Sequence, residues 1–124
     1  VNASARDLGQ WLLAQMGGQP EALSPSVVET VTTPRVRTPR ELKRRLWGQL
    51  LDEAHYGLGW RVYRIGEAPL NYHSGWVKGY VAEIAWSPTH QIGLALLLNA
   101  ESPAIGRIST AFWAEVHGRP SPTP

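Results

Sequence analysis

Four runs of strand-forming residues, separated by short turn sequences, occupy residues 56–99 and restrict the fold more than any other feature. The run YGLGWRVYRIG is rich in aromatic and β-branched residues, GEAP is a turn sequence, and LNYHSG follows it. The run YVAEIAWSP alternates between two faces, and IGLALLLNA is apolar on both faces, which is typical of a central strand. The pattern therefore predicts a four-stranded antiparallel meander.

Helix start signals lie on both sides of this predicted sheet. A serine or threonine stands at each N-cap position, with proline or an acidic residue in the first turn. The predicted helices cover 5–16, Ser24-Pro25 to before Pro34, Thr38-Pro39 towards residue 51, and Ser102-Pro103 to Gly118. We therefore predict an α+β fold in which helices flank an antiparallel meander: a helical segment at 1–55, the sheet with its last helix at 56–117, and a disordered tail at 118–124.

Composition excludes several classes of protein. No apolar run approaches the roughly 20 residues that cross a bilayer, and the formal charge of the 124 residues is only +2. The basic residues between Arg35 and Arg45 are interpreted as a solvated helix face, so no nucleic-acid partner is expected. Because the chain has no cysteine, it forms neither disulfides nor thiolate metal sites.

The stretch NYHSGWVKGY places a histidine, a serine and a glycine in a row inside a predicted strand. A glycine in a strand allows another backbone or a ligand to approach closely. A lone histidine in a strand is more often packed or at the surface than catalytic, so His73 by itself indicates no chemistry. His55, His90 and His117 are interpreted as surface residues, and no pair of histidines has the spacing of a metal site.

The motifs YGLGW at 56–60, HSG at 73–75, GYVAEIAWSP and IGLALLLNAES resemble, in order and spacing, the C-terminal part of the serine β-lactamase-like hydrolases. Class C β-lactamases, D-alanyl-D-alanine carboxypeptidases and esterases are the most similar subfamilies. The opening VNASARDLGQWLLAQMGG is similar to the helix that follows the catalytic middle segment in these proteins. The resemblance implies a partial β-lactamase/transpeptidase-like fold, one C-terminal portion of a larger domain, in a bacterial parent that is exported or periplasmic.

The resemblance also implies a site. In this family a lysine or histidine, a serine or threonine and a glycine lie on the strand beside the active site, and His73, Ser74 and Gly75 match. His73 is then expected to act catalytically between the base and a substrate carboxylate, while Ser74 and Gly75 bind substrate. The backbone N–H of Trp76 would stabilise the oxyanion. Histidine in place of lysine favours an esterase or peptidase, and the resemblance implies no cofactor or metal.

The family's nucleophilic elements are missing from the chain. The nucleophile belongs to an S-x-x-K motif, but Arg40 and Gly75 stand three residues before the only two lysines, Lys43 and Lys78. No Y-x-N triplet occurs, no Y-x-S triplet lies in a helical region, and no G-x-S-x-G elbow replaces these elements. A nucleophile without an activating base is weak.

We therefore expect the C-terminal part of a serine hydrolase that acts on a β-lactam, a D-Ala peptide or an ester and is inactive alone. Its expected partners are a small-molecule substrate and the N-terminal part of the same parent, with dimerisation through an exposed sheet as a further expectation. The alternative is a stand-alone, non-catalytic module that binds a ligand or another protein.

Overall fold

The computed structural model describes residues 2–124 and has an α+β architecture around one antiparallel sheet. Each strand pairs with its neighbour in the chain, which confirms the predicted meander flanked by helices. The strands are β1 (Val36–Arg37), β2 (Glu53–Tyr56), β3 (Arg61–Ile65), β4 (Ala68–Val77), β5 (Tyr80–Ser87) and β6 (Ile92–Leu98). The sheet thus has six strands rather than four, because β1 and most of β2 lie in the segment predicted to be helical.

Local sequence signals account for the long helices, which are α1 (Ala5–Gln15), α2 (Pro25–Thr32) and α3 (Ala104–Val116). At the start of α1, the Asp7 N–H donates to Ser4 Oγ at 3.1 Å, and the Ser4 N–H donates to the Asp7 carboxylate at 2.9 Å. This reciprocal capping box satisfies two N–H groups that have no partner inside the helix. All three helices begin within two residues of the predicted positions.

The helix predicted from Thr38 to residue 51 is wrong. This stretch forms two short 3₁₀ turns, Pro39–Lys43 and Trp47–Gln49, and Thr38 makes no capping hydrogen bond. Arg44 between the turns has an extended backbone, with φ −65° and ψ 135°. Its guanidinium binds the tyrosine of β3, so a tertiary contact overrides the local helical preference.

The larger core lies between the sheet, α3 and the second 3₁₀ turn. Trp47 packs edge-on against Tyr72, with ring centroids 4.9 Å apart, and its ring centroid lies 5.5 Å from that of Tyr63. The fully buried large side chains of this core are Trp47, Leu50, Tyr63, Leu70, Tyr72 and Trp113. Aromatic side chains bury the largest areas, so this cluster anchors the strands that carry the predicted site.

A second, smaller core lies on the opposite face of the sheet, where Leu12 of α1 packs with Trp60 and Trp86. The sequence periodicity predicts that Trp11, Trp86 and Trp113 fall on stripes that face the core. This prediction is confirmed for Trp86 and Trp113, which are buried. The predicted burial of Trp11 is wrong, because α1 turns Leu12 towards the sheet and leaves Trp11 46% exposed.

The prediction that IGLALLLNA forms a central strand is wrong, because this run forms the edge strand β6. Within residues 2–124 it pairs only with β5 and lies at the edge of the sheet. It is nevertheless apolar on both faces because α1 and α3 contact it from opposite sides. Cover on two faces produces the same sequence pattern as a central position.

The C-terminal residues 118–124, predicted to be disordered, contain no helix or strand but do make contacts. Gln49 and Thr123 exchange two hydrogen bonds of 2.8 and 3.0 Å, which hold the tail against the second 3₁₀ turn. Among the helices of residues 2–124, none is both long enough and apolar enough to cross a membrane.

Candidate functional site

The second half of β4 extends beyond its neighbour β3. The pairing of β3 with β4 ends at Arg61 and Tyr72, whereas β5 pairs with β4 as far as Val77. Among residues 2–124, only β5 therefore pairs with residues 73–77, and their other side is left without a partner strand. Every site residue predicted from the sequence lies in this segment, which we call the free edge.

Hydrogen bonds around β3 establish which backbone groups point into the free edge. The carbonyls of Trp60 and Arg64 accept from the N–H groups of Gly57 and Asp52, at 2.7 and 2.9 Å. The backbone N–H and C=O groups of even-numbered residues in β3 therefore point towards β2, and those of odd-numbered residues point towards β4. The register then directs the N–H and C=O of Tyr72, the partner of Arg61, towards β3.

Alternation along β4 continues this direction beyond the end of β3. The register from residue 71 to 77 has no bulge, so the N–H groups of Ser74 and Trp76 point into the free edge. The backbone groups of His73 and Gly75 point towards β5 instead. The Trp76 N–H thus points in the direction expected of an oxyanion donor on this edge.

The side chains of the predicted residues divide between the two faces of the sheet. His73 shares a face with Ile84 and lies towards α1 and α2. Ser74 and Trp76 share the opposite face with the buried Tyr72, and Trp76 is 68% exposed. Because successive side chains of a strand alternate, the structure does not bring the side chains of His73, Ser74 and Trp76 together. They share the free edge only.

The glycine at position 75 is not required by the fold. A Cβ at Gly75 would meet no atom within 4 Å, and its backbone is not in the left-handed region. Gly57 differs, since a Cβ there would lie 2.4 Å from the carbonyl oxygen of Val31. The space beside Gly75 is therefore open for a group from outside the described residues.

A groove of about 290 Å³ lies beside His73, between the sheet, α1 and α2. Sequence reasoning missed it because Trp11, which lines it, was expected to point into the core. The apolar side chains that line this groove are Trp11, Leu23, Val27, Val31, Leu58, Trp60 and Ile84. We call this feature the His73 groove.

Comparison with known proteins identifies the family of this chain. The sequence model of the Beta-lactamase family matches residues 1–117. The chain belongs to the beta-lactamase family. This family member also matches the solved structure of an octameric penicillin-binding protein homologue from Pyrococcus abyssi, with a TM-score of 0.76 and 25% sequence identity.

The match covers 94% of the β-lactamase-family chain and 25% of the Pyrococcus abyssi protein. The chain therefore spans a quarter of the length of that structural relative. No curated protein sequence matches the chain.

A buried carboxyl group lies behind the free edge of this β-lactamase-family sheet. Glu83 is 5% exposed, lies opposite Ser74 in the β4–β5 register and accepts a 2.8 Å hydrogen bond from the Tyr72 hydroxyl. Burial raises the pKa of Glu83, and burial followed by the Glu83 charge raises the pKa of Tyr72 to about 12. Tyr72 therefore acts as a hydrogen-bond donor here. Residues 72–74 match the letters of the family's Y-x-S motif. Because Tyr72 keeps its proton, it does not act there as a base beside a serine nucleophile.

Sequence reasoning also missed that Glu83 is a buried acceptor for the Tyr72 hydroxyl. The only signal for it in the sequence is a lone acidic residue within an alternating strand.

An ionic network joins the first 3₁₀ turn to the sheet of the β-lactamase-family chain. Arg44 donates to the Tyr63 hydroxyl at 3.1 Å and forms a 3.2 Å ion pair with Glu41. Glu41 also accepts from the Tyr63 hydroxyl and pairs with Arg61 at 3.4 Å. The guanidinium of Arg44 lies 5.6 Å from the ring centroid of Tyr72. Part of the basic run is thus structural, which corrects its interpretation as a solvated helix face.

The described residues contain no group of three or more histidine, cysteine, aspartate or glutamate side chains placed to hold a metal ion. His90 and His117 do meet, with ring centroids 4.9 Å apart, and His117 Nδ1 lies 2.8 Å from the carbonyl oxygen of Trp113. His117 is therefore half-buried, and its predicted position at the surface is wrong.

Proposed function

We propose that this chain forms one wall of the active site of a serine hydrolase that acylates a serine with its substrate and then hydrolyses the acyl-enzyme. The observation that carries the proposal is the free edge at residues 73–77. There the Trp76 N–H points away from β5, and Gly75 leaves open space that the fold does not require. A strand edge of this kind can pair with an extended substrate and stabilise a developing oxyanion.

Each predicted site residue has a proposed role on this edge. The Trp76 N–H donates to the oxyanion, Gly75 admits the substrate, and Ser74 donates a hydrogen bond to a substrate carboxylate. His73 lies between the base machinery and that carboxylate. The proposed substrates are β-lactams, D-Ala peptides or esters, and the histidine at position 73 favours an ester or peptide.

The rest of the proposed active site belongs to an N-terminal part of a longer protein. Support comes from the missing S-x-x-K and Y-x-N elements and from the Pyrococcus abyssi protein, whose chain is about four times as long as the matched segment. The chain alone is then inactive, and the parent is exported or periplasmic. Self-association through the exposed edge of β6 is a further part of the proposal. It is consistent with the octameric state of that homologue.

The test compares the 124-residue chain with the complete reading frame that encodes it, using a fluorophosphonate probe and a fluorescent penicillin. Only the complete protein should be labelled, and replacing the serine of its S-x-x-K motif by alanine should abolish labelling. Labelling of the isolated chain that is lost on Ser74→Ala would contradict the proposal.

A pair of variants tests the oxyanion donor. Trp76→Pro removes the N–H that points into the free edge, and proline is tolerated at an edge because no ladder hydrogen bond is lost. Trp76→Ala keeps the N–H and is the matched control. We expect Trp76→Pro to lower kcat by about 10²-fold or more, and Trp76→Ala to retain most activity.

The alternative function is a non-catalytic module that binds a ligand at the free edge. It predicts a complete reading frame without S-x-x-K and no labelling by either probe. If such an unlabelled protein bound an extended peptide, the result would favour this alternative over the hydrolase.

A further inference from the structure

We infer that Glu101 is a positioning residue, which anchors the turn between β4 and β5 and thereby holds the Trp76 N–H in the proposed oxyanion site. The inference rests on the proposed function and adds to it a residue outside the strand that carries the site. Glu101 acts through the backbone of the β4–β5 hairpin rather than through contact with the substrate, so it is not a catalytic residue.

The hairpin of β4 and β5 projects beyond both neighbouring strands. The pairing of β3 with β4 ends at Tyr72, and the last pair of β5 with β6 joins Val81 to Leu98. Within the described part of the chain, the turn at Lys78 and Gly79 therefore has no strand beside it. Its position depends on contacts other than strand pairing.

Apolar packing contributes little to holding the end of this hairpin. Trp76, Val77 and Tyr80 expose 68%, 63% and 59% of their surfaces. Side chains that are largely in solvent make few of the contacts that fix a strand against a core. A polar contact is therefore the candidate anchor for the turn.

The turn also has a conformation that does not match the twist of its strands. Gly79, its second central residue, has a φ of +86°. Lys78, the first, has no positive φ, because Gln91 is the one non-glycine residue of 2–124 that has one. The favoured two-residue hairpin turns have a positive φ at the first central position, and other turns splay the strands. A contact that opposes this splaying is therefore important here.

Glu101 supplies such a contact. It lies in the connection between β6 and α3, and its Oε1 accepts a 2.6 Å hydrogen bond from the Gly79 N–H. The β4–β5 ladder ends at the pair of Val77 with Tyr80, so this N–H lies outside the ladder. Hydrogen bonds from a backbone N–H to a carboxylate are stronger than those between neutral groups. Glu101 thus joins the turn to the start of α3, the helix whose Trp113 is buried in the larger core.

The anchored turn is close to the proposed oxyanion donor. Trp76 lies three residues before Gly79, and the register between them has no bulge, so a displaced turn changes the direction of the Trp76 N–H. Oxyanion stabilisation requires donors that are already in place, and a misplacement of about 1 Å can cost about 10²-fold in rate. Loss of the Glu101 contact should therefore slow the chemical step.

Backbone relaxation of the ¹⁵N-labelled 124-residue chain tests the anchor without catalysis. Glu101→Ala removes the acceptor, and Glu101→Gln keeps an oxygen acceptor. Glu115→Ala, which removes an exposed glutamate near the other end of α3, is the control. Glu101→Ala should lower the order parameters of the Trp76 and Gly79 amides from about 0.85 to below about 0.6, and the other two variants should not. Unchanged order parameters in Glu101→Ala would overturn the inference.

Kinetics of the complete protein test the consequence for the reaction. With an uncharged ester, Glu101→Ala should lower kcat at least about tenfold and change KM less, because an oxyanion donor acts mainly in the transition state. Glu101→Gln and Glu115→Ala should retain most of the activity. A larger effect of Glu101→Ala on KM than on kcat would mean that Glu101 contributes to substrate binding, and the inference would be wrong.

A double variant separates positioning from a general loss of stability. Trp76→Pro already removes the N–H that Glu101 is inferred to position. Adding Glu101→Ala to Trp76→Pro should therefore lower kcat by less than about a further twofold, since two changes that act through one group are not additive. If the two losses multiply instead, Glu101 acts through another part of the protein and the inference fails.

The relaxation and kinetic measurements also distinguish this inference from the proposed function. If Glu101→Ala loosens Trp76 and Gly79 but the complete protein acylates no serine, the anchor is retained and the proposed function is rejected. If the complete protein acylates a serine and Glu101→Ala leaves kcat unchanged, the inference alone is rejected.

Discussion

The hydroxyl of Tyr72 donates a 2.8 Å hydrogen bond to Glu83 behind the strand that carries Ser74. Both side chains are buried, and they lie diagonally across β4 and β5 on the face of the larger core. Burial opposes ionisation of a carboxyl group, so the pKa of Glu83 lies above its ordinary value of 4.5. The fold therefore makes ionisation of this carboxyl group less favourable than in water.

Glu83 should make stability depend on pH. Because its pKa is raised in the folded state, its stabilising contribution is complete below about pH 4.5 and is lost as pH rises through the raised value. Glu83→Gln keeps an acceptor for Tyr72 and removes the titration. As pH rises above 4.5, we expect the free energy of unfolding of Glu83→Gln to increase relative to that of the unaltered chain.

Urea unfolding at several pH values measures this difference. Comparing the two chains at each pH cancels the contributions of exposed carboxylates such as Asp7 and Asp52, whose pKa values are lowered by backbone hydrogen bonds from Ser4 and Gly66. Parallel stability curves for the two chains would show that Glu83 ionises normally in the fold.

Two tryptophans close to the site should differ in what they do for stability. Trp47 is 1% exposed and packs on Tyr63 and Tyr72, so Trp47→Ala should cost about 3–5 kcal/mol. Trp76 is largely exposed, and Trp76→Ala should change stability by less than about 0.5 kcal/mol. Chemical denaturation of both variants checks this, and a large loss for Trp76→Ala would mean that its ring packs against the sheet.

Gly75 should be dispensable for folding and required for the proposed activity. Gly75→Ala meets no atom, so we expect stability within about 1 kcal/mol of the unaltered chain. Gly57→Ala is the control, because its Cβ would overlap the Val31 carbonyl. We expect Gly57→Ala to lower the free energy of unfolding by more than about 1 kcal/mol. In the complete protein, Gly75→Ala should lower kcat/KM at least about tenfold, since a misplaced substrate loses reactivity steeply. Full activity would show that no substrate approaches this residue.

Amide exchange should alternate along the free edge. The N–H groups of Ser74 and Trp76 point away from β5, whereas those of His73 and Gly75 point towards it. We therefore expect faster exchange at Ser74 and Trp76 than at their two neighbours in the isolated chain, measured by NMR. The reverse alternation would place the wrong N–H groups in the proposed oxyanion site.

His73 should influence the choice between anionic and neutral substrates. A lysine keeps its positive charge at neutral pH and can pair with a substrate carboxylate. In the complete protein, His73→Lys should therefore favour a carboxylate-bearing substrate over a neutral ester by about tenfold in kcat/KM. His73→Gln, which is polar and uncharged, is the control and should produce no such gain. An unchanged ratio in His73→Lys would show that position 73 does not contact the carboxylate.

The sequence alone predicted the features that depend on local chemistry. Ser4 and Asp7 form the predicted capping box, and the alternation in YVAEIAWSP corresponds to β5. The α+β meander and the family resemblance follow from the same short-range patterns, because caps, turns and strand periodicity need only neighbouring residues. The roles of His73, Ser74, Gly75 and Trp76 stay predictions.

Tertiary structure decided everything that depends on residues distant in the chain. The contact of Arg44 with Tyr63 replaced a predicted helix by 3₁₀ turns, and helices on both faces gave the edge strand β6 the sequence of a central one. The direction of the Trp76 N–H depends on the register of β3 against β4, and the His73 groove depends on how α1 and α2 pack. Local propensity is worth only tenths of a kcal/mol per residue, so long-range packing and strand register determine these features.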